Sequence, residues 1–476
     1  MSEKLKLYWI YGISILFILI NAVLIVKEFY WSLLFPLTIV FLILYLFAQD
    51  KLMLLLAFLT PVSVNIRNFE ANLGVSLPVE PLMFAVLIIF VIKLIGGFPY
   101  ERKILRHPIS IAVVFMIFWI FITTLTSEIF WVSAKALVSQ LWFIIPFFYV
   151  GAVLFKKFSN IKRFIWLYII GMIVVIIYTT IRHSQYGFDE DAGNWVMRPF
   201  YNDHTAYGAA LSMLLPFIIA FSFDKSYSFS IRATSVLVFF VLFGGLFLSY
   251  SRASWLSIIG AFGVYLFVLL RIKFKWIAFA TIVVVGLLMS LQNQILEVLE
   301  RNKQDSSADF VEHVQSMYNI TSDASNLERI NRWQSGIRMF KERPFFGWGP
   351  GTYQFVYAPF QRSKERTIIS TNAGDLGNAH SEYISPLSEQ GVLGLVAILI
   401  VIFTGIYKGF KVYREASDKR VRTMALTATL SLIAYFIHGF LNNFLDTDKL
   451  SVLVWSMFAM IMVMDLYHTK EIRESY

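Results

Sequence analysis

Apolar residues fill most of this chain in runs of about twenty separated by short polar links, and one polar interval of roughly ninety residues, Gln292 to Ser385, interrupts them. About 20 helical residues cross an apolar layer of about 30 Å, and lipid offers backbone groups no partner except the helix itself. The pattern predicts an all-α polytopic membrane protein, a bundle of about 12–14 transmembrane helices with a large, mostly helical extracytoplasmic loop. Three blocks follow: residues 1–291 with the N-terminal spans, 292–385 as the inserted loop, and 386–476 with the C-terminal spans.

The predicted spans are Tyr8 to Val26, Phe29 to Phe47, Leu52 to Val64, Pro81 to Gly97, Ile109 to Leu125, Ala134 to Phe155 and Phe164 to Ile181 in the first part of the chain. Thr205 to Phe223, Thr234 to Tyr250, Ser254 to Leu270, Trp276 to Leu291, Pro386 to Tyr407, Met424 to Leu441 and Leu450 to Leu466 complete the set. The third is short and carries Pro61, so a re-entrant or broken segment is its alternative. Basic residues set the orientation. Lys4 and Lys6, the Glu101 to His107 loop, Lys156 to Arg163, Asp224 to Arg232, Arg271 to Lys275 and Lys408 to Arg422 fall on one side, expected to be cytoplasmic. Arg182 to His204, the Ser251-Arg252 edge, the long loop and Asn442 to Lys449 share the opposite side.

Within the loop, Ile330, Trp333, Ile337 and Phe340 recur at three- and four-residue intervals, so Leu327 to Phe340 reads as an amphipathic helix. Pro344, Gly347, Gly349, Pro350 and Gly351 end it in a tight turn. A second amphipathic stretch follows near Tyr353 to Gln361, and a polar link at Ser370 to Asn378 precedes His380. A helix including His380 to Gln390 is expected to run straight into the membrane, kinked at Pro386.

Composition agrees: 58% of residues are hydrophobic, only 15% are charged, and the chain holds 46 Phe, 23 Tyr and 12 Trp, outside the soluble range. The net charge of +10 is spread over the predicted cytoplasmic links, so it reports topology and not a nucleic-acid surface. The N-terminal run lacks a small-residue cleavage site before Lys27-Glu28 and reads as a signal anchor. Zero cysteines exclude disulfides, thiol nucleophiles and Cys-ligated metals.

Four extracytoplasmic cations stand at helix ends or in loops: Arg198, Arg252, Arg329 and His380. Singly, each has a plain structural reading, as an interfacial or solvated charge. Together they suit one task. Guanidinium groups stay charged and match phosphate oxygens, so several converging on one pocket would bind a pyrophosphate and stabilise it as a leaving group. A neutral imidazole could take the proton of an attacking sugar hydroxyl. Asp189/Asp191 and Asp446/Asp448 have the two-residue spacing of divalent-ion ligands, but in such short loops they read as solvated carboxylates, and no metal site is assigned. Glu80 at a helix start and His438 in a predicted span are ionisable groups that lipid makes costly; His438 either lines the pocket or is paired inside the bundle.

The motifs Ser251-Arg252-Ala-Ser-Trp255, Arg329-Ile-Asn-Arg332-Trp333, Arg343-Pro-Phe-Phe-Gly-Trp-Gly-Pro-Gly-Thr-Tyr353 and His380-Ser-Glu-Tyr383-Ile-Ser-Pro-Leu-Ser-Glu-Gln-Gly391 resemble the O-antigen ligase and polymerase superfamily. Asn202-Asp-His204-Thr-Ala-Tyr-Gly208 is similar to another part of that pattern. The resemblance implies a bundle of about twelve helices in a bacterial inner membrane, with the active site facing the periplasm. The implied reaction is a metal-independent, inverting transfer of a glycan from undecaprenyl pyrophosphate to a hydroxyl acceptor such as the lipid A-core of lipopolysaccharide, with no cofactor. Arg252 and Arg329 would correspond to the donor-phosphate arginines and His380 to the essential histidine; Arg198, His204, Arg332, Trp333, Tyr383 and His438 would contact substrate.

Repeat polymerisation and protein O-oligosaccharide transfer are the alternatives within the class, because donor and base would be the same. A flippase for the same lipid-linked sugar is the alternative outside it. Flippases usually carry inverted or parallel repeats, which this sequence does not display.

Overall fold

The computed structural model describes residues 3–27, 41, 44, 48–66, 75–271, 327–366, 370 and 377–469. The predicted span Trp276 to Leu291, all but residues 41 and 44 of Phe29 to Phe47, the loop up to residue 326 and most of the Ser370 to Asn378 link lie outside them. The chain divides into two compact units, residues 1–56 and 57–476. The first holds helix α1 (Glu3–Val26) and the start of α2 (Gln49–Val62). After α2 the backbone turns into a two-stranded antiparallel hairpin, Val64–Ile66 paired with Val75–Leu77, which the apolar pattern did not predict. The segment with Pro61 is thus a 14-residue helix, shorter than a full span.

The second unit continues with α3 (Val79–Ile95), α4 (Pro108–Leu125), α5 (Phe130–Phe155), α6 (Ser159–Ser184), α7 (His204–Phe223), α8 (Phe229–Phe247) and α9 (Arg252–Leu269). The loop helix α10 covers 327–342, and α11 (Ile384–Glu415), α12 (Lys419–His438) and α13 (Asp448–His468) complete the described helices of span or loop. Nine of these, α4 to α9 and α11 to α13, are long and apolar enough to cross a membrane among the described residues. Their sequences explain their ends. His107 caps α4 by accepting from Ile109 N ahead of Pro108, and Asp203, Ser228 and Asp418 cap α7, α8 and α12 through their side-chain oxygens.

Almost every side chain of α13 from Asp448 to Met464 is buried, so this helix, with α7 and α12, forms the centre of the bundle. Helices α7, α9 and α12 pack against one another, and α11 packs on α4 and α12. Short connections alternate between two faces. On the face of the basic links, Asp465 accepts from His107 at 2.9 Å and Lys408 at 2.7 Å, tying α4, α11 and α13 together.

Helix α11 does bend, but not at Pro386. The break is at Gly391, whose φ of 72° and ψ of −168° leave the helical region. The turn 344–351 takes over the freed backbone groups. Val392 N donates to Pro344 O at 2.8 Å, while Ser388 O accepts from Trp348 N at 3.3 Å and Glu389 O from Gly349 N at 2.7 Å. Trp119 Nε1 on α4 donates to Gln390 O at 2.9 Å. A Cβ at Gly391 would lie 2.1 Å from Phe345 O, so only glycine lets the turn seat in the break.

Candidate active site

Three helix ends meet at the face opposite the basic links. His204 opens α7, Arg252 opens α9, and His438 closes α12, which runs antiparallel to both. Gly208, one turn into α7, has no side chain to hold the 249–254 edge away: a Cβ there would sit 2.4 Å from Ser254 Oγ. Asp203 Oδ1 accepts from Thr205 N at 2.8 Å and Ala206 N at 2.9 Å, so the carboxylate is pinned at the mouth of this cluster.

The loop helix brings the second half. Arg329 lies in the first turn of α10; burial pushes its guanidinium down and the Asp203 carboxylate pulls it back up. Arg329 and Asp203 are also electrostatic neighbours of His204, His380 and His438. Four residues assigned from sequence, His204, Arg329, His380 and His438, are therefore brought into one charge-coupled constellation around Asp203. His438 is 1% exposed and both its ring nitrogens lack a hydrogen-bond partner among the described residues, which favours the pocket reading over pairing inside the bundle.

His380 precedes α11 and is not part of it. Its φ of 47° places it in the left-handed region, a strained conformation for a histidine. Two contacts hold that geometry: His380 N donates to Asn378 Oδ1 at 3.1 Å, and its carbonyl accepts from Trp333 Nε1 at 3.3 Å. Burial, then the Arg332 and Arg329 charges, push the imidazole down to about 4, so it is neutral at neutral pH. Neutral imidazole is the form that accepts a proton.

Other assigned residues act on this frame. Arg332 donates to Glu328 Oε1 at 2.8 Å in a buried pair and to Asn378 O at 3.1 Å, which fixes the strand leading to His380. Tyr383 OH donates to Phe436 O at 2.8 Å, tying the start of α11 to α12. Arg198 is exposed and donates to its own loop at Asn202 O (3.0 Å). Arg252 is also exposed, and its charge lowers the Glu190 carboxyl that burial raises.

The acidic pairs resolve into separate structural tasks. Asp189 caps the turn Glu190–Gly193. Asp448 is not the solvated carboxylate expected of a short loop: it is buried, accepts from Ser63 Oγ at 2.5 Å and pairs with Lys449 at 3.0 Å. Sequence reasoning missed Asp203, Asn378 and Glu382 as organisers. Glu382 Oε1 accepts from Tyr435 OH at 2.5 Å, Phe444 N at 2.7 Å and Leu445 N at 3.0 Å, locking the chain after His380 to the end of α12. Only Asp203 left a local signal, an aspartate placed just before an apolar run.

Residues 237–399 match the family model described as O-antigen ligase, a stretch that runs from α8 through Arg252, Arg329 and His380 into α11. An uncharacterized protein of Haemophilus influenzae is 21% identical over 211 residues, 44% of this chain and 51% of the relative, so the match spans about half that relative's length. The nine apolar helices support a multi-pass membrane protein, and its residues 237–399, which hold Arg252, Arg329 and His380, are similar to the O-antigen ligase family.

Proposed function

We propose that the protein transfers a glycan from undecaprenyl pyrophosphate to a hydroxyl acceptor, with the lipopolysaccharide core as the acceptor, in the bacterial inner membrane with its centre facing the periplasm. The observation that carries this reading is a half-buried, neutral His380 that shares the charged neighbours Arg329 and Asp203 with His204 and His438. The acceptor oxygen attacks the anomeric carbon, the bond from that carbon to the phosphate oxygen breaks, and the hydroxyl proton passes to the His380 imidazole. Inversion follows from a single displacement. No enzyme nucleophile is needed. Arg329, with Arg252 on the neighbouring helix end, offsets the charge that grows on the departing pyrophosphate.

The donor itself tunes the base. Burial, then the arginine charges, hold the imidazole low; a bound pyrophosphate offsets the arginine part and raises its proton affinity as the acceptor arrives. The test is transfer by the purified full chain in detergent, from a synthetic carrier-linked donor to core oligosaccharide. Product formation lost in His380→Ala supports the reading, and undiminished transfer in that variant overturns it. In cells, a deletion that leaves full-length glycan on the carrier supports ligation; single repeats on the carrier would replace it with polymerisation.

A further inference from the structure

A cavity of about 490 Å³, a volume in the range of small-molecule sites, is walled in part by residues that flank His380. It is walled by α4, α5, the turn at 350–355, the start of α11, residues 443–446 and Trp455 of α13. Asn378 and Glu382, two residues before and two after His380, both form part of that wall. The cavity therefore reaches the strand whose geometry sets the imidazole.

Its chemistry is opposite to that of the arginine side. Glu382, Glu389 and Asp446 contribute three carboxyl groups against one ammonium, Lys135, with amides from Gln140, Gln354 and Asn443. Two of the carboxyls are struts. Glu382 holds Phe444 N and Leu445 N, and Glu389 Oε1 accepts from Tyr353 N at 2.9 Å. Asp446 and Lys135 are left without an ion pair among the described residues. Asp446 is exposed to the cavity yet surrounded by protein, and burial raises its carboxyl to about 6.

Trp455 and Asn443 complete the wall beside residues 445 and 446, with the Trp455 side chain almost wholly buried. Three carboxyls disfavour a pyrophosphate. Carboxylate, ammonium and amide groups suit the hydroxyls of an uncharged sugar.

We propose that this cavity is the acceptor-sugar subsite, in which Asp446 and Lys135 hydrogen-bond hydroxyls of a terminal, non-phosphorylated hexose and turn a neighbouring hydroxyl toward His380. This rests on the transfer reading above. It adds that donor and acceptor are sorted by charge, with the diphosphate on the arginine side and the neutral sugar on the carboxyl side.

The experiment uses the full chain in detergent with carrier-linked donor, varying core oligosaccharide, in wild type, Asp446→Asn and Lys135→Met. The expected result is an acceptor KM raised about tenfold or more in both variants, with donor KM unchanged, because each loses a hydrogen bond to a charged group. An unchanged acceptor KM, or a raised donor KM, overturns the subsite. If wild type itself transfers nothing, the transfer reading fails instead, and the two failures are told apart. Should a variant lose its fold, binding decides: core oligosaccharide titrated into the inactive His380→Ala chain is expected to change indole fluorescence, and to do so less when its hydroxyls are replaced by phosphates. No response, or a stronger response to the phosphorylated form, overturns the proposal.

Discussion

The indole Nε1 of Trp333 donates to the backbone carbonyl of His380 at 3.3 Å, so a side chain of the loop helix sets the conformation of a residue 47 positions later. Together with the Asn378 side chain, this bond holds a left-handed histidine in place. Trp333→Phe keeps the ring and removes the donor. A neutral hydrogen bond contributes about 0.5–1.5 kcal/mol, so kcat is expected to fall roughly three- to tenfold with donor KM little changed. Steady-state kinetics checks this, and a change confined to KM would assign Trp333 to binding.

Arg329 and Arg252 differ in burial and partners, and the arginine hypothesis predicts losses for both. Removing a group that stabilises a developing anion costs about 2–4 kcal/mol in the transition state. Arg329→Ala and Arg252→Ala are thus expected to lower kcat/KM by about 30- to 1000-fold while insertion into the membrane continues. Arg329→Lys keeps charge but loses the planar fork and should recover only part of the rate. Wild-type turnover in either alanine variant would remove that residue from the mechanism.

The acid limb of activity follows from His380. Folded, its imidazole binds a proton only below about 4; unfolded, it does so near 6.5. Between those values the unfolded chain holds the extra proton, so this group's contribution to stability is complete above about 6.5 and is lost as pH falls toward 4. His380→Gln should flatten that part of the stability-against-pH curve measured by thermal unfolding. In kinetics, kcat/KM reports the free protein and kcat the donor complex. The limb in kcat is expected at higher pH than the limb in kcat/KM, because the bound diphosphate opposes Arg329 and Arg332.

Two glycines with similar φ separate strain from fit. Gly187 has φ +65° and open space where a Cβ would go, whereas Gly391 has φ +72° and Phe345 O at 2.1 Å. Gly187→Ala is expected to cost about 1–2 kcal/mol, the left-handed penalty alone. Gly391→Ala adds a backbone clash that must unseat the 344–351 turn, so its loss of stability should exceed that and extend to activity. Comparable melting temperatures for the two variants would contradict this account of the α11 break.

Much of the architecture was legible because a helix in lipid satisfies its backbone locally. Span boundaries such as Ile109 to Leu125 against the observed Pro108–Leu125, and the loop helix from Leu327, depend on nearby residues alone. Pattern reading put the bend of α11 at Pro386, since proline is the local signal; the actual break at Gly391 depends on a turn some forty residues earlier that supplies replacement hydrogen bonds.

The chain by itself determined which segments are apolar enough to span, where their caps fall, and which residue types are available for anion binding and proton transfer. Only the tertiary structure decided that His204, His380 and His438 share Arg329 and Asp203 as charged neighbours, while Arg332 and Tyr383 hold backbone. The reason is physical. Hydrophobic runs and caps are set within a few residues, but convergence of side chains from α7, α10, α11 and α12 is fixed by how helices distant in sequence pack, including the bare approach at Gly208 that no local pattern encodes.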